Sequence, residues 1–185
     1  LEGKWRMCID YRGLNAVTKK NTYPLPRIQD CLNRIGSAKR ISKFDLLSGF
    51  YQLQVAEESI DKTAFNTQQG KFEFLVMSIG LTNAPAMFQT MMNTVLQPYL
   101  DKFVIVYLDN IIIFSNSDQE HKEHLSLVLE RLCTNKLYTK LSKCIVGAET
   151  VEFCRHIVGQ GQLRTAVSKT KLVEEWLVPS NVHEV

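Results

Sequence analysis

The sequence predicts a single α+β domain, and three observations carry that reading. The chain has 185 residues, 45% of them hydrophobic, enough for one sizeable core and short for two. Short apolar runs with strand character are interspersed with segments of helical periodicity. No internal repeat, low-complexity run or linker divides them.

Along the chain, W-R-M-C-I-D-Y (Trp5–Tyr11) alternates loosely and is expected to form a strand. N-T-Y-P-L-P excludes regular structure, because each Pro pushes the residue before it into extended backbone. Pro26 suits a first helical position; Ile28, Cys31, Leu32 and Ile35 then recur at i, i+3, i+4 and i+7, and Gly36 stops the helix. A strand over Arg40–Phe44 ends at Asp45. Gln52–Val55, Lys62–Thr67 and Phe72–Met77 read as short strands, the last two joined by a turn containing Gly70.

Asn83-Ala84-Pro85 opens a helix with Phe88, Met91, Met92, Val95 and Leu96 inward, and Pro98 closes it. F-V-I-V-Y-L-D-N-I-I-I-F (Phe103–Phe114) is two apolar runs about Asp109-Asn110, the pattern of a hairpin with a two-residue turn. Ser117-x-x-Glu120 is a capping box for a helix whose Leu125, Val128, Leu129 and Leu132 form one stripe. Val151–Val158 is expected to be one strand, and the tail from Gln160 fits no element.

Nothing approaches the roughly 18 consecutive apolar residues of a membrane span, and no signal-peptide pattern is present, so no membrane partner is expected. Cys8, Cys31, Cys133, Cys144 and Cys154 are odd in number and form no C-x-x-C, which reads as reduced thiols in an intracellular protein. The chain begins with Leu, so it reads as a piece of a longer polypeptide. The net charge of +3 is uneven: residues 1–43 hold ten bases against three acids (+7), and the remainder balances at −4. A basic lobe on an acidic body suits a polyanion at one end, nucleic acid above all, although a solvated Lys-rich surface has the same composition.

Two carboxylates, Asp45 and Asp109, each stand where an apolar strand ends. An ionised carboxylate beside such hydrocarbon is costly unless a partner or a metal compensates it. Asp109-Asn110 therefore has two readings: turn residues that tolerate positive φ, or part of a divalent-metal site. Mg²⁺ takes one or two carboxylates and leaves positions for phosphates, and two such ions about 3.5–4 Å apart serve in-line phosphoryl displacement. With the basic lobe, the second reading points to nucleotidyl transfer.

Other clusters are read as structural. His121 and His124 (E-H-K-E-H) are placed on an exposed helix start, Met87, Met91 and Met92 in the core, and Lys19-Lys20 and Lys140–Cys144 as short basic patches. No phosphate-binding Gly loop and no Ser-His-Asp pattern occurs.

D-Y-R-G-L-N-A-V-T-K-K-N-T-Y-P-L-P, K-F-D-L-L-S-G-F-Y-Q-L-Q-V, K-T-A-F-N-T, F-E-F-L-V-M-S-I-G-L-T-N-A-P-A-M-F-Q, V-Y-L-D-N-I-I-I-F-S and K-L-Y-T-K-L-S-K-C occur in that order. Together, over about residues 4 to 158, they resemble the reverse transcriptase domain of gypsy-type LTR retrotransposon pol polyproteins. The resemblance implies a right-hand polymerase: a palm of antiparallel sheet backed by helices (about 44–158), part of the fingers (about 1–43) and the start of the thumb or connection (159–185). It also implies an RNA-directed DNA polymerase acting on an RNA or DNA template with primer and dNTPs. Two Mg²⁺ ions would serve it, with Mn²⁺ as a substitute, and RNase H, integrase and protease domains would accompany it in a full element.

Asp45 matches the family's first catalytic carboxylate and metal ligand, and Asp109 the first Asp of its Y-x-D-D box. Arg6 matches a fingers residue that holds the nucleotide's phosphates, and Phe50 the aromatic gate against a 2′-hydroxyl, with Tyr51 next in register. Gly80 lies in the loop near the nascent base pair, and Phe153, Cys154, Arg155 and His156 match the primer grip.

Three positions depart from the family pattern. Asn110 replaces the second carboxylate of the box, F-C-R-H stands where the grip usually reads F-L-G-H, and M-S-I-G-L where M-P-F-G-L is usual. The expectation is an impaired polymerase; the alternative is a catalytically dead nucleic-acid-binding remnant.

Overall fold

Ile111, Ile112 and Ile113 are consecutive and all fully buried, so the strand that holds them must be covered on both faces. The computed structural model describes residues 7–165. In chain order its elements are α1 (Arg12–Val17), α2 (Ile28–Gly36), β1 (Arg40–Asp45), β2 (Phe65–Thr67), β3 (Gly70–Phe72), α3 (Ala84–Leu96), β4 (Val104–Tyr107), β5 (Asn110–Ser115), α4 (Asp118–Thr134), β6 (Ile145–Ala148), β7 (Val151–Phe153), β8 (His156–Gly159) and β9 (Gln162–Thr165). Single 3₁₀ turns lie at Gly49–Gln52, Glu57–Ser59, Asp61–Thr63 and Leu141–Lys143.

A four-stranded antiparallel sheet in the order β4-β5-β1-β6 forms the centre. Alternation along each strand divides its side chains. Phe44, Val104, Val106, Ile111 and Ile113 face α3 and α4, where they meet Phe88, Met92, Leu96, Val128 and Leu132. Ile41, Ile105 and Ile112 face the other way, onto Cys31, Leu32 and Ile35 of α2 and Val151, Phe153 and Val158 of the small β7-β8-β9 sheet. At about 1.5–3 kcal/mol for each fully buried aliphatic or aromatic side chain, these two layers dominate the fold's stability.

Several elements differ from expectation. Residues 7–11 form no strand; Tyr11 is buried, its hydroxyl donating to the Thr63 carbonyl (3.1 Å), and the chain turns at once into α1. Gln52 belongs to a 3₁₀ turn because its side chain bonds the Leu47 and Tyr138 carbonyls and the Tyr138 N–H, leaving only a Gln54–Val76 bridge of the strand. Thr63 likewise ends a 3₁₀ turn, with its hydroxyl donating to Ile60, so strand pairing starts at Phe65. Val151–Val158 is a hairpin rather than one strand, the tail continues into β9, and β6 adds an edge to the central sheet. Leu129 and Met87 are about half exposed, so neither belongs to the core stripe assigned to it.

His121 is the largest correction among the polar residues, being 4% exposed rather than on a solvated face. Glu120 closes the capping box by accepting from Asn116 N–H while Ser117 Oγ accepts from Glu120 N–H. That start to α4 aims His121 between β1 and β5. One consistent chain of bonds satisfies every group there. Gly147 N–H donates to Ser42 Oγ (2.9 Å), the Ser42 hydroxyl to His121 Nε2 (2.7 Å), His121 Nδ1–H to Ser115 Oγ (2.8 Å) and the Ser115 hydroxyl to His124 Nδ1 (2.8 Å).

This arrangement requires a neutral His121. Burial, then His124 and Arg40, push its pKa below the ordinary 6.5, opposed only by Asp118 and Glu120. Below pH 6.5 the unfolded chain therefore binds a proton that the folded chain resists, so stability falls as the pH drops. Melting temperature followed from pH 7.5 to 5.5, a window in which ordinary carboxylates stay ionised, should decline, and the slope should shrink in His121→Asn. A flat profile in the unmodified chain would contradict the assignment.

Candidate active site

The apolar runs of β4 and β5 pair Tyr107 with Asn110, so the two turn residues are Leu108 and Asp109. Asn110 is the first residue of β5 and lies opposite Asp45 at the end of β1, not at the hairpin tip where the sequence pattern put it. Positive φ falls on Leu108 (52°), a conformation costing a non-glycine residue ~1–2 kcal/mol. The compensation comes from α3. Gln89, fully buried, accepts the Leu108 N–H (2.8 Å) and donates to the Val106 carbonyl (3.0 Å) and to Asn93. Sequence reading missed Gln89, whose signal was a lone amide on the inner face of an apolar helix.

The turn is bonded to the end of β1, since Leu46 N–H donates to the Asp109 carbonyl (3.2 Å). Asn110 Nδ2 donates to Asp109 Oδ1 (3.0 Å). The Asp45 side chain is only 15% exposed and takes the Lys143 ammonium at 3.2 Å, while its backbone carbonyl accepts from Lys140 N–H (2.8 Å). Lys143 was legible beforehand only as part of a short basic patch.

Asp45, Asp109 and Lys143 open on a cleft of about 470 Å³, and Phe50 and Tyr51 form part of its wall. Both aromatics come from the 3₁₀ turn after Ser48, which has φ 49°. Phe50 rests edge-on against Phe88 (5.4 Å), and Tyr51 lies parallel to Phe74 (6.3 Å). A Cβ on Gly49 would sit 2.8 Å from the Phe88 ring, so the glycine is what lets this turn settle on α3.

Gly80 is off the cleft wall, which its neighbour Ile79 joins instead; with φ 107° its carbonyl accepts from Asn15 Nδ2 (2.8 Å). Arg6 lies outside the described residues. No residue of the Phe153–His156 segment lines the cleft. Phe153 is buried edge-on to Tyr107 (5.9 Å), and His156 Nδ1–H donates to the Cys154 carbonyl (2.9 Å). Cys154 and Arg155 are the turn residues, both left-handed (φ 47° and 64°), where Gly is at ease and Arg is not. Burial raises the Cys154 thiol and the Tyr107 phenol above their ordinary values, keeping both neutral.

Two hard carboxylate donors at the ends of bonded strands, on a cleft that already draws in an ammonium, fit a divalent cation such as Mg²⁺. Among the described residues no group of three or more His, Cys, Asp or Glu is placed to hold a metal ion, and the residue paired with Asp45 carries the amide of Asn110. His121 and His124 belong to the back of the sheet and take no part.

Comparison with known proteins identifies the family and the fold. The family model described as reverse transcriptase (RNA-dependent DNA polymerase) matches residues 2–158. The chain is 40% identical over 182 residues (98% of it) to the retrovirus-related Pol polyprotein from transposon 297 of Drosophila melanogaster, of which it covers 17%. It is 50% identical over 133 residues (70% of it) to an RNA-directed DNA polymerase homolog of Oenothera berteroana, of which it covers 94%. The polyprotein relatives are thus matched over less than a fifth of their length. Among solved structures, foamy viral protease-reverse transcriptase in complex with double-stranded DNA superposes with a TM-score of 0.91 at 23% identity, covering 99% of this chain and 32% of that one. The fold is accordingly the α+β reverse transcriptase fold, and no helix of the described residues is long and apolar enough to cross a membrane. With its matched family spanning the whole four-stranded sheet and every residue of the cleft, the chain belongs to the reverse transcriptases, as the reverse transcriptase domain of a gypsy-type LTR retrotransposon pol polyprotein.

Proposed function

We propose that this chain extends a primer 3′-hydroxyl with deoxynucleotides on an RNA or DNA template, and that Asn110 makes it a weak polymerase. The observation carrying the proposal is the meeting of Asp45 and Asp109 on a cleft that Phe50 also lines. In this reading residues 1–43 belong to the fingers, 44–158 mainly to the palm and 159–185 to the start of the thumb or connection.

Asp45 and Asp109 would hold Mg²⁺ or Mn²⁺, which when bound supplies charge stabilisation for the attacking and leaving oxygens of phosphoryl displacement. Phe50, braced by Phe88, is rigid enough to exclude a 2′-hydroxyl, with Tyr51 beside it on the same wall. Arg6 is assigned to the triphosphate and Gly80 to the nascent base pair. Phe153 to His156 positions the primer end through the buried contact of Phe153 with Tyr107, one strand residue from the catalytic turn.

The +7 balance of residues 1–43 supports a primer–template duplex as partner. Foamy viral proteins of this fold are described in complex with double-stranded DNA and with RNA/DNA hybrid. Protease, RNase H and integrase domains are proposed to accompany the domain in a full-length polyprotein. The second reading, a binding remnant, rests on the basic balance of residues 1–43 beside the departures at Asn110, Cys154-Arg155 and Ser78-Ile79, and predicts salt-dependent duplex binding without extension.

Primer extension on an RNA template, with the unmodified chain beside Asp109→Asn in Mg²⁺ and Mn²⁺, tests the proposal. Slow extension that disappears in Asp109→Asn supports it. Extension that survives the substitution would remove Asp109 from the chemistry, and duplex binding with no extension in any variant would favour the remnant.

A further inference from the structure

Lys143 is held against Asp45 by more than a chance surface contact. It ends the 3₁₀ turn Leu141–Lys143, whose base is fixed to the end of β1: Lys140 N–H donates to the Asp45 carbonyl (2.8 Å), Lys143 N–H to the Lys140 carbonyl (2.8 Å), and Cys144 Sγ–H to the same carbonyl (3.3 Å). Immediately beyond, Ile145 pairs with Lys43 of β1. This scaffold delivers the ammonium to both carboxylate oxygens of Asp45, at 3.2 and 3.5 Å. The lysine side chain remains 56% exposed while that of Asp45 is 15% exposed, so the ammonium can leave for solvent without disturbing the carboxylate.

We propose that Lys143 is the resident counter-ion of the metal site, occupying the place on Asp45 that a divalent cation takes and holding down the affinity for that cation. The inference rests on the metal-binding reading of Asp45 and Asp109. A Mg²⁺ ion coordinates carboxylate oxygens at roughly 2.0–2.1 Å, and an ammonium within hydrogen-bond reach of both Asp45 oxygens competes for their lone pairs and repels the incoming dication. Cation entry therefore displaces Lys143 from Asp45 and works against its charge. The effect weighs more here than in a site of three carboxylates: Asp45 and Asp109 carry −2 between them, and one lysine cancels half of it. Lys143 acts through Asp45 and is a positioning residue.

Mn²⁺ titration of the 185-residue chain, read by the electron paramagnetic resonance signal of the free aquo ion, tests this without reference to activity. Lys143→Met and Lys143→Gln should each bind Mn²⁺ about three- to tenfold more tightly than the unmodified chain, the range expected for removing one partly exposed competing charge. Lys143→Arg, which keeps the charge, should stay within about twofold of it. Unchanged or weaker binding in both neutral variants overturns the inference. Asp45→Asn and Asp109→Asn separate the two levels. If they abolish Mn²⁺ binding while the neutral Lys143 variants give no gain, only the counter-ion role fails; if binding persists through both, the metal-site reading fails with it.

Discussion

Asn110→Asp is expected to raise the kcat of primer extension by about 10²-fold, the scale on which removal of one electrostatic catalytic group acts in other enzymes. Position 110 is paired with Asp45 across the β1–β5 ladder, and paired residues project to the same face. A carboxylate there would join Asp45 and Asp109, taking the charge offered to divalent cations from −2 to −3, where the present amide offers a neutral and weaker oxygen. The exchange replaces one NH₂ by oxygen, so shape is conserved and the strand start is undisturbed. It does remove the Asn110–Asp109 bond (3.0 Å) and set two carboxylates together, so the variant should be modestly less stable without metal and gain melting temperature on adding Mg²⁺. Single-turnover extension with the two chains in parallel is the measurement. A gain below about threefold would put the larger fault elsewhere, with the strained Cys154-Arg155 turn first in line.

Gly159→Ala should cost about 3–5 kcal/mol, a large share of the roughly 5–15 kcal/mol that holds a domain together. Gly159 ends β8 at φ 139°, where L side chains are strained, and an added Cβ would lie 2.2 Å from the Glu149 carbonyl oxygen, 2.9 Å from Ile41 Cδ1 and 3.0 Å from Thr150 Cα. Two of those three atoms are backbone and cannot rotate away. Relief requires the end of β8 to part from the Glu149-Thr150 link ahead of β7, which loosens the Val151–Val158 pairing and the buried layer that holds both. Urea unfolding gives the number directly. Gly13→Ala is the control: nothing lies within 4 Å of its Cβ position, and in the helical α1 an alanine should be neutral or stabilising. Equal effects in the two variants would contradict the close approach at Gly159.

Much of this was legible in the sequence, for identifiable reasons. Periodicity and boundary residues located α2, α3 and α4, because Pro85 and the Ser117–Glu120 box act locally; Pro26 falls two residues ahead of α2, whose N-cap is Arg27, and not at its first helical position. The hairpin of β4 and β5 followed from two apolar runs, and Asp45 and Asp109 from their place at strand ends. What stayed hidden depends on residues far apart in the chain. Cys154-Arg155 carries no Gly, Asn or Pro, so its own chemistry announced no turn, and only the family's F-L-G-H pattern put a small turn residue at this place. His121 sits in an acidic, polar run and is buried by Ser42 and Ser115, which only the strand alignment brings to it. The turn of the β4–β5 hairpin was misplaced by one residue because Asp-Asn is chemically the better turn, whereas the ladder and Gln89 put Leu108 in the left-handed position.

The serine–histidine cluster has a consequence for folding fidelity. V-I-V and I-I-I carry hydrocarbon to both faces of the sheet, so hydrophobicity does not penalise pairing these strands one residue out of step. Ser42 and Ser115 are the two buried polar residues of that sheet. A slip would strand their hydroxyls and the His121 imidazole in hydrocarbon, at about 1–3 kcal/mol for each unpaired group. It would also carry Asp109 and Asn110 about 3.3 Å past Asp45, more than a metal–oxygen bond length. A histidine away from the cleft thus distinguishes the one alignment in which Asp45 and Asp109 share its wall from neighbouring alignments that hydrophobicity leaves almost equal.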